Sequence, residues 1–151
     1  MKRSIQFTLI IIGLIVIGFS FTDNKPCERK IIFTDKAPKP IGPYSQAVFA
    51  DNTLYVAGQV GFTLEGKLDS TTIENECHQA LKNIKAIVEA AGMNMQQVVK
   101  STLYVKDLKN WSKINEVYGQ YFKIDPPARE TVQIADLPKG AHFEISVVAV
   151  K

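Results

Sequence analysis

Cysteine and histidine are scarce in this chain, with two of each among 151 residues. Cys77 and His78 are neighbours in a predicted helix, where consecutive side chains diverge by ~100°. The second histidine, His142, lies far along the chain. This spacing does not match the ligand patterns of metal sites, so we expect no metal. The placement of Cys27 and Cys77 does not require a disulfide.

A cluster of basic residues is also lacking in the predicted domain. The whole chain has 18 basic and 15 acidic residues, but the basic count falls to 16 without Lys2 and Arg3. The predicted mature protein is therefore close to neutral. This charge does not support binding of nucleic acid through a basic patch.

Long hydrophobic runs are confined to the N-terminus, where residues 5–21 follow Lys2 and Arg3. A basic start followed by such a run predicts an export signal over residues 1–22. The run is at the short limit for a membrane-spanning helix of ~20 residues, so an uncleaved anchor stays open. Residues 24–26 before Cys27 do not fit a lipoprotein site, and residues 23–29 read as a linker. We therefore expect a periplasmic, extracellular or membrane-anchored protein.

The remainder, residues 30–151, is long enough for one hydrophobic core and has no internal repeat. Two amphipathic helices are predicted, one capped by Thr71 or Thr72 and ended by Gly92, the other over residues 110–122. Period-two patterns predict the strands, which cover residues 30–33, 46–50, 53–60, 98–106, 128–134 and 143–149. The order strands, helix, strand, helix, strands predicts an α+β fold, with one mixed sheet and both helices on one face.

Arg129 and Glu144 are polar residues in the last two predicted strands, which a turn rich in Pro and Gly connects. If these strands pair, the two side chains share the sheet face opposite the helices. We expect Lys100, Tyr104 and Gln133 on that uncovered face as well, where self-association would enclose them. A guanidinium beside a carboxyl group would form a site that binds a carboxylate and activates water.

Several motifs spread over this domain resemble those of the RidA (YjgF) family. The resemblance covers about residues 30–151, in order and without large gaps. The motifs are Ile41-Gly42-Pro43-Tyr44-Ser45-Gln46-Ala47, Gly58-Gln59-Val60-Gly61, Asn83-Ile84-Lys85, Asn115-Glu116-Val117-Tyr118, Pro127-Ala128-Arg129, Leu137-Pro138-Lys139-Gly140-Ala141 and Glu144-Ile145.

The resemblance implies a homotrimer with a chorismate-mutase-like fold and ligand clefts between neighbouring subunits. It also implies hydrolysis of 2-aminoacrylate-type enamines and imines to 2-keto acids and ammonia, without a cofactor. Arg129 resembles the family's ligand for the substrate carboxylate, and Glu144 the residue that positions the hydrolytic water. Tyr44 and Asn115 match a tyrosine and an asparagine that line the cleft.

The chain departs from the typical active members of the family at three positions. Ala57 stands where serine precedes the Gly58-Gln59 motif, Thr131 where cysteine is frequent, and Glu130 where serine or threonine is common. We expect Gly58, a candidate substrate-binding residue, and Gly61 to allow close backbone approach. Thr131 is expected to offer its backbone rather than its hydroxyl, and Glu130 to face away from Arg129.

These departures leave two functions of different class open. The first is the imine deaminase, and the second is a non-catalytic trimer outside the cytosol that binds small carboxylic acids. An export signal is unusual for a mostly cytosolic family, and this favours the second reading. Ribonuclease activity is ascribed to some relatives, but the near-neutral charge of the predicted mature protein does not favour binding of an RNA backbone.

Overall fold

The computed structural model describes residues 27–151. The predicted signal or anchor, residues 1–22, and residues 23–26 of the predicted linker lie outside this range. No helix within residues 27–151 combines the length and hydropathy needed to cross a bilayer. The elements are β1 (Arg29–Ile32), β2 (Ala47–Ala50), β3 (Thr53–Val60), α1 (Ile73–Ala90), β4 (Val98–Val105), α2 (Trp111–Tyr121), β5 (Ala128–Gln133) and β6 (Phe143–Val150).

All six strands form one sheet in the order β1-β2-β3-β6-β4-β5. The strands pair antiparallel except β4 and β5, which run parallel. The sheet is therefore mixed, and the predicted α+β fold with two helices is confirmed. The last strand of the chain, β6, lies in the middle of the sheet, between β3 and β4.

Helix α1 begins and ends where its sequence predicts. The Thr72 side chain accepts a hydrogen bond from the Asn75 backbone N–H at the N-cap. Gly92 follows the helix with φ 72°, a left-handed conformation that costs glycine little. Between these ends, the apolar residues recur every three to four positions and are buried against the sheet.

The core lies between the helices and one sheet face. The alternate residues of β6 on that face, Phe143, Ile145, Val147 and Ala149, are all buried together with Leu81 and Ile84 of α1. Burial of side chains of this size contributes about 1.5–3 kcal/mol each, and this row fixes which way β6 faces. Val99 is an exception to the predicted alternation, because a bulge in β4 exposes it and buries Val98 instead.

The opposite sheet face is not covered by any element of residues 27–151 and is called the open face below. Among its residues are Tyr55 on β3 and Val132 on β5, both about half exposed. Lys100 also lies there and forms an ion pair with Glu130 at 3.1 Å. Glu130 therefore faces away from Arg129, as strand alternation predicts.

The prediction that the strands of Arg129 and Glu144 pair directly is wrong. Strand β4 lies between β5 and β6. The physical reason is that β5 follows α2 and returns parallel to β4, as strand-helix-strand units do. The apolar row of β6 suits the centre of the sheet, whereas the polar sequence of β5 suits its edge.

Candidate active site in two halves

Arg129 lies on the helix side of the sheet, over two aromatic rings of α2. Its guanidinium carbon is 4.7 Å from the centroid of the Tyr118 ring and 4.9 Å from that of Trp111. Tyr118 is held in place because its hydroxyl lies 2.8 Å from Oγ of the buried Ser101. The two rings stabilise the cation and restrain its plane.

The guanidinium of Arg129 has no acidic partner among residues 27–151. The ion pairs of this part of the chain involve Lys85, Lys100, Lys106, Lys113 and His142 instead. A planar fork of N–H donors held on aromatic rings and free of carboxylates matches a carboxylate ligand.

Thr131 and Asn115 lie on the same side of the sheet as this guanidinium. Thr131 follows Arg129 by two residues on β5, so its side chain is on the same sheet face. Its hydroxyl oxygen is buried and has no hydrogen-bond partner within residues 27–151. Asn115 is four residues after Trp111 and three before Tyr118, which places it on the same stripe of α2. Trp111, Asn115, Tyr118, Arg129 and Thr131 are called the arginine half-site.

Glu144 lies on the open face, in a cavity of about 350 Å³. The walls are mainly apolar, and burial raises the pKa of the Glu144 carboxyl above its usual value. A carboxyl group with a raised pKa can accept and return a proton near neutral pH. The other lining residues are Pro38, Lys39, Pro40, Ile41, Tyr44, Gln46, Ala57, Gly58, Gln59, Val60, Phe62 and Pro138.

Gly58 brings the backbone of β3 against this carboxylate. The pairing of β3 with β6 shifts between Val56 and Gln59, and this bulge contains Ala57 and Gly58. A Cβ atom built on Gly58 would collide with the Glu144 carboxylate. Glycine is required here for close approach, as the sequence predicts. Ala57 also lines the cavity, without the hydroxyl that a serine would offer there.

Tyr44 closes one side of the cavity and is about half exposed. Its hydroxyl accepts a hydrogen bond from the Ile41 backbone N–H at 3.3 Å. The neighbouring wall is held by Gln46, which is 1% exposed. The Gln46 amide accepts from the Thr34 N–H and donates to the carbonyls of Thr34, Ala37 and Pro38. Glu144, Gly58, Tyr44 and the surrounding cavity are called the glutamate half-site.

The two half-sites lie on opposite faces of the sheet within one chain. Arg129 contacts α2 on the helix side, whereas Glu144 belongs to the open face of β6. The expectation that Arg129 and Gln133 share the open face with Glu144 is therefore wrong, while Lys100 and Tyr104 do lie there. A single copy of the chain does not bring the guanidinium and the carboxylate to one ligand.

Sequence reasoning missed two contributors to the arginine half-site. The sequence places Trp111 and Tyr118 on the second predicted helix without a role in the site, whereas the structure shows Trp111 40% exposed and both rings against Arg129. Their spacing of seven residues, with Asn115 between them, was the available signal. A polar residue within an aromatic helix stripe indicates that the stripe faces a ligand or a cation rather than only the core. Within residues 27–151, no three His, Cys, Asp or Glu residues cluster as metal ligands would.

Comparisons with known proteins agree with this fold. The family model described as Endoribonuclease L-PSP matches residues 34–151. A human protein named 2-iminobutanoate/2-iminopropanoate deaminase is 47% identical over 124 residues, which are 82% of this chain and 90% of that protein.

Two solved structures are similar as well. RidA from a Psychrobacter species superimposes with a TM-score of 0.78 at 41% identity, covering 81% of this chain and 99% of that one. E. coli TdcF with bound serine gives a TM-score of 0.78 at 37% identity, covering 81% and 98%. The chain therefore belongs to the Endoribonuclease L-PSP family, which is the RidA (YjgF) family that its motifs indicate.

Proposed function

We propose that this protein is a cofactor-free hydrolase that converts 2-imino acids and their 2-aminoacrylate-type enamine tautomers to 2-keto acids and ammonia. The observation that carries the proposal is the unpaired Arg129 fork, which complements a carboxylate, together with the cavity that holds Glu144. The human relative that is 47% identical bears the name of this activity, and TdcF binds serine, a small amino acid.

The reaction needs both half-sites at one ligand, and therefore two copies of the chain. We propose a homotrimer in which the arginine half-site of one subunit meets the glutamate half-site of the next. Apolar residues of the open face, such as Tyr55 and Val132, would be covered by this assembly. The closed symmetry gives three equivalent clefts.

Arg129 binds the substrate carboxylate through its fork, and this fixes the imine carbon opposite Glu144. The Thr131 hydroxyl, which has no hydrogen-bond partner within residues 27–151, is a candidate donor to the same carboxylate. Asn115 and Tyr44 line the two sides of the cleft. Holding the reacting atoms in this arrangement accounts for much of the rate increase.

Glu144 carries the proton transfers. It accepts a proton from water as the oxygen adds to the carbon of the protonated imine, and the product of this step is a neutral carbinolamine. Glu144 then gives this proton to the nitrogen. Its carboxylate takes up the hydroxyl proton as the C–N bond breaks, the carbonyl forms and ammonia leaves. General acid–base catalysis of this kind contributes ~10²–10⁴-fold.

The decisive experiment follows imine decay. An amino-acid oxidase generates 2-iminopropanoate, and the purified protein should speed its conversion to pyruvate. If the wild type gives no acceleration yet binds 2-ketobutanoate in calorimetry through Arg129, the protein is the non-catalytic trimer, a reading that Ala57 favours. RNA cleavage by the wild type that persists in the Glu144→Gln variant would contradict both readings.

Subunit mixing tests the shared cleft. Arg129→Ala and Glu144→Gln should each lower kcat/KM by about a hundredfold or more, but chains refolded together should recover about a quarter of the wild-type activity. A random equal mixture places an intact Arg129 next to an intact Glu144 in about one cleft in four. Activity that stays at the level of the separate variants would contradict a site between subunits.

We also propose that the protein works outside the cytosol, because residues 1–22 have the pattern of an export signal or anchor. The mass of the protein purified from its native membrane and soluble fractions tests this. A loss of about 22 residues is expected for a cleaved signal, and full-length protein in the membrane fraction for an anchor. Full-length protein in the cytosol would contradict export.

A further inference from the structure

Glu76 of α1 is a buried carboxylate that the proposed reaction does not use. Its side chain is 1% exposed. Buried carboxylates are rare unless hydrogen bonds compensate for the lost water. Three such bonds reach Glu76, and all of them come from the two residues that precede Glu144.

The backbone at the start of β6 supplies two of these donors. The N–H groups of His142 and Phe143 both donate to Oε1 of Glu76, at 2.6 and 3.0 Å. The His142 ring nitrogen Nδ1 lies 3.0 Å from the other carboxylate oxygen, Oε2. Hydrogen bonds to a carboxylate are about twice as strong as those between neutral groups, so these bonds hold the start of β6 firmly. The three hydrogen bonds of Glu76 with His142 and Phe143 are called the Glu76 anchor.

The anchor sits where the sheet ladder ends. Strand β3 pairs with β6 up to Val60, which is opposite Glu144. Phe143, which precedes Glu144 on β6, would pair with Gly61, but β3 ends at Val60. Glu76 takes the place of the missing strand and accepts the Phe143 N–H.

Gly61 allows helix and strand to approach this closely. A Cβ atom on Gly61 would lie 2.7 Å from Cγ of Glu76 and 2.8 Å from its carbonyl oxygen. About two turns further along the helix, Asn83 donates hydrogen bonds to the carbonyls of Val60 and Phe62. Helix α1 thus holds both strands of the glutamate half-site by buried polar groups.

We propose that Glu76 is a positioning residue for Glu144, fixing the start of β6 so that the carboxylate stays against Gly58 in the cavity. Glu76 lies on the core side of the sheet and does not touch the substrate. This role rests on the proposed function of Glu144.

The test compares Glu76→Gln with the wild type in steady-state imine hydrolysis. The amide is a weaker acceptor of nearly the same shape, so the anchor loosens without a cavity. We expect kcat to fall about tenfold to a hundredfold, since small displacements of a reacting group have effects of this size. KM should change less than about twofold, because Arg129 is untouched.

Two controls separate positioning from general stability. Glu89→Gln removes the same charge from the exposed side of α1, where Glu89 pairs with Lys85 at 3.8 Å. Ile87→Val weakens the packing of the same helix away from the site. Both should keep the wild-type kcat at temperatures well below Tm. A Glu76→Gln enzyme that loses Tm but keeps kcat would show that Glu76 is only structural, and would overturn the proposal.

His142→Ala provides a milder variant in case Glu76→Gln does not fold. It removes the ring contact and keeps both backbone hydrogen bonds. We expect a several-fold loss of kcat at constant KM, and an unchanged kcat would contradict the proposal.

A titration of Glu144 by carboxyl NMR distinguishes failure of this proposal from failure of the proposed function. Absence of turnover in the wild type would remove the deaminase but leave the titration to decide about Glu76. The other titratable groups that line the cavity are Tyr44 and Lys39, and Tyr104 on β4 is paired with Glu144. If Glu76 positions Glu144, the raised pKa of Glu144 should move toward the usual value in Glu76→Gln and stay unchanged in Glu89→Gln. An identical titration in all three proteins would overturn the proposal.

Discussion

The carboxylate of Glu144 occupies the space that a side chain on Gly58 would need. The contact joins the bulge of β3 to the open face of β6, with no other side chain between them. The contact lies at the register shift of β3, between Val56 and Gln59. It also makes the glutamate half-site sensitive to a single added methyl group.

Gly58→Ala should therefore displace Glu144 and lower imine hydrolysis. The new Cβ collides with the carboxylate, which is the flexible end of a side chain, so the protein should still fold. We expect kcat/KM to fall about a hundredfold, because the catalytic group moves by about an ångström. Steady-state kinetics and thermal unfolding measure the two effects.

Gly119→Ala is the matched control for this change. Gly119 lies in α2, and a Cβ atom there has no neighbour within 4 Å. Alanine is favoured over glycine in a helix by about 0.5–1 kcal/mol, so this variant should be slightly more stable and fully active. Equal activity of the two variants would contradict the role given to Gly58.

The stability of Glu144→Gln should depend on pH differently from that of the wild type. Burial raises the pKa of Glu144 in the folded protein. Between its unfolded and folded pKa values the folded state binds more protons, so the unfolding free energy falls as pH rises through that window. The Glu144→Gln variant lacks this titrating group, so its unfolding free energy does not show this fall. The Tm of the variant minus the Tm of the wild type should therefore be larger at pH 8 than at pH 4.

Asp136→Asn gives a control of opposite sign. Its hydrogen bond and ion pair with Lys106 lower the pKa of Asp136. The stability it contributes is present above the unfolded pKa and is lost as pH falls through the folded pKa. The variant should therefore be slightly less stable than the wild type at pH 8 and equal to it in acid. All scans need one protein concentration, because assembly changes Tm.

Arg129→Lys should weaken substrate binding although it keeps the charge. Lysine lacks both the bidentate fork and the flat face that lies on Trp111 and Tyr118. We expect about a tenfold increase in KM for Arg129→Lys and about a hundredfold loss of kcat/KM for Arg129→Ala, since hydrogen bonds to charged groups contribute about 1.5–3 kcal/mol.

Fluorescence can follow this binding directly, because Trp111 is the single tryptophan of the chain. A 2-keto acid at Arg129 should change its emission in the wild type and leave it unchanged in Arg129→Ala. Lys85→Ala, which removes an exposed cation from α1, should bind like the wild type. Full binding by Arg129→Ala would mean that the carboxylate is held elsewhere.

Gln46→Leu should destabilise the fold and loosen the cavity wall. The buried amide makes four hydrogen bonds to the loop of residues 34–38, and leucine makes none. The unpaired backbone groups should lower the unfolding free energy by about 2 kcal/mol or more. Denaturant unfolding measures this loss, and kinetics should show a higher KM. An unchanged midpoint would show that water replaces the amide fully.

The fold was largely predictable because its local signals are strong. The cap at Thr72, the left-handed Gly92 and the alternating apolar row of β6 each determine one element or its face. The two prolines after α2 end that helix, as their backbone chemistry requires. Family motifs then indicated Arg129, Asn115, Glu144, Gly58 and Tyr44, but not the roles of Trp111 and Tyr118.

Strand order was not predictable from these local patterns. Strands β5 and β6 are close in sequence and joined by a Pro/Gly turn, which resembles a hairpin. Whether a strand pairs with its sequence neighbour depends on the packing of the whole sheet, and here β4 takes the place beside each of them. The face of Arg129 was also assigned wrongly, because the apolar alternate residues of β5 suggest a core row, whereas Val132 among them is 45% exposed on the open face. The hydrogen bonds of Glu76 were also not predictable from local patterns, because their donors lie 66 and 67 residues further along the chain.

The central place of β6 has a consequence for biosynthesis. Strands β1 to β3 and strands β4 and β5 are adjacent only to members of their own group, and β6 alone joins the groups. A nascent chain synthesised only as far as His142 consequently holds two half-sheets that no strand connects. The sheet is completed only after residues 143–150 have left the ribosome, and Glu144, the proposed catalytic residue, arrives with them. A truncation before Phe143 would thus remove the fold and the chemistry together.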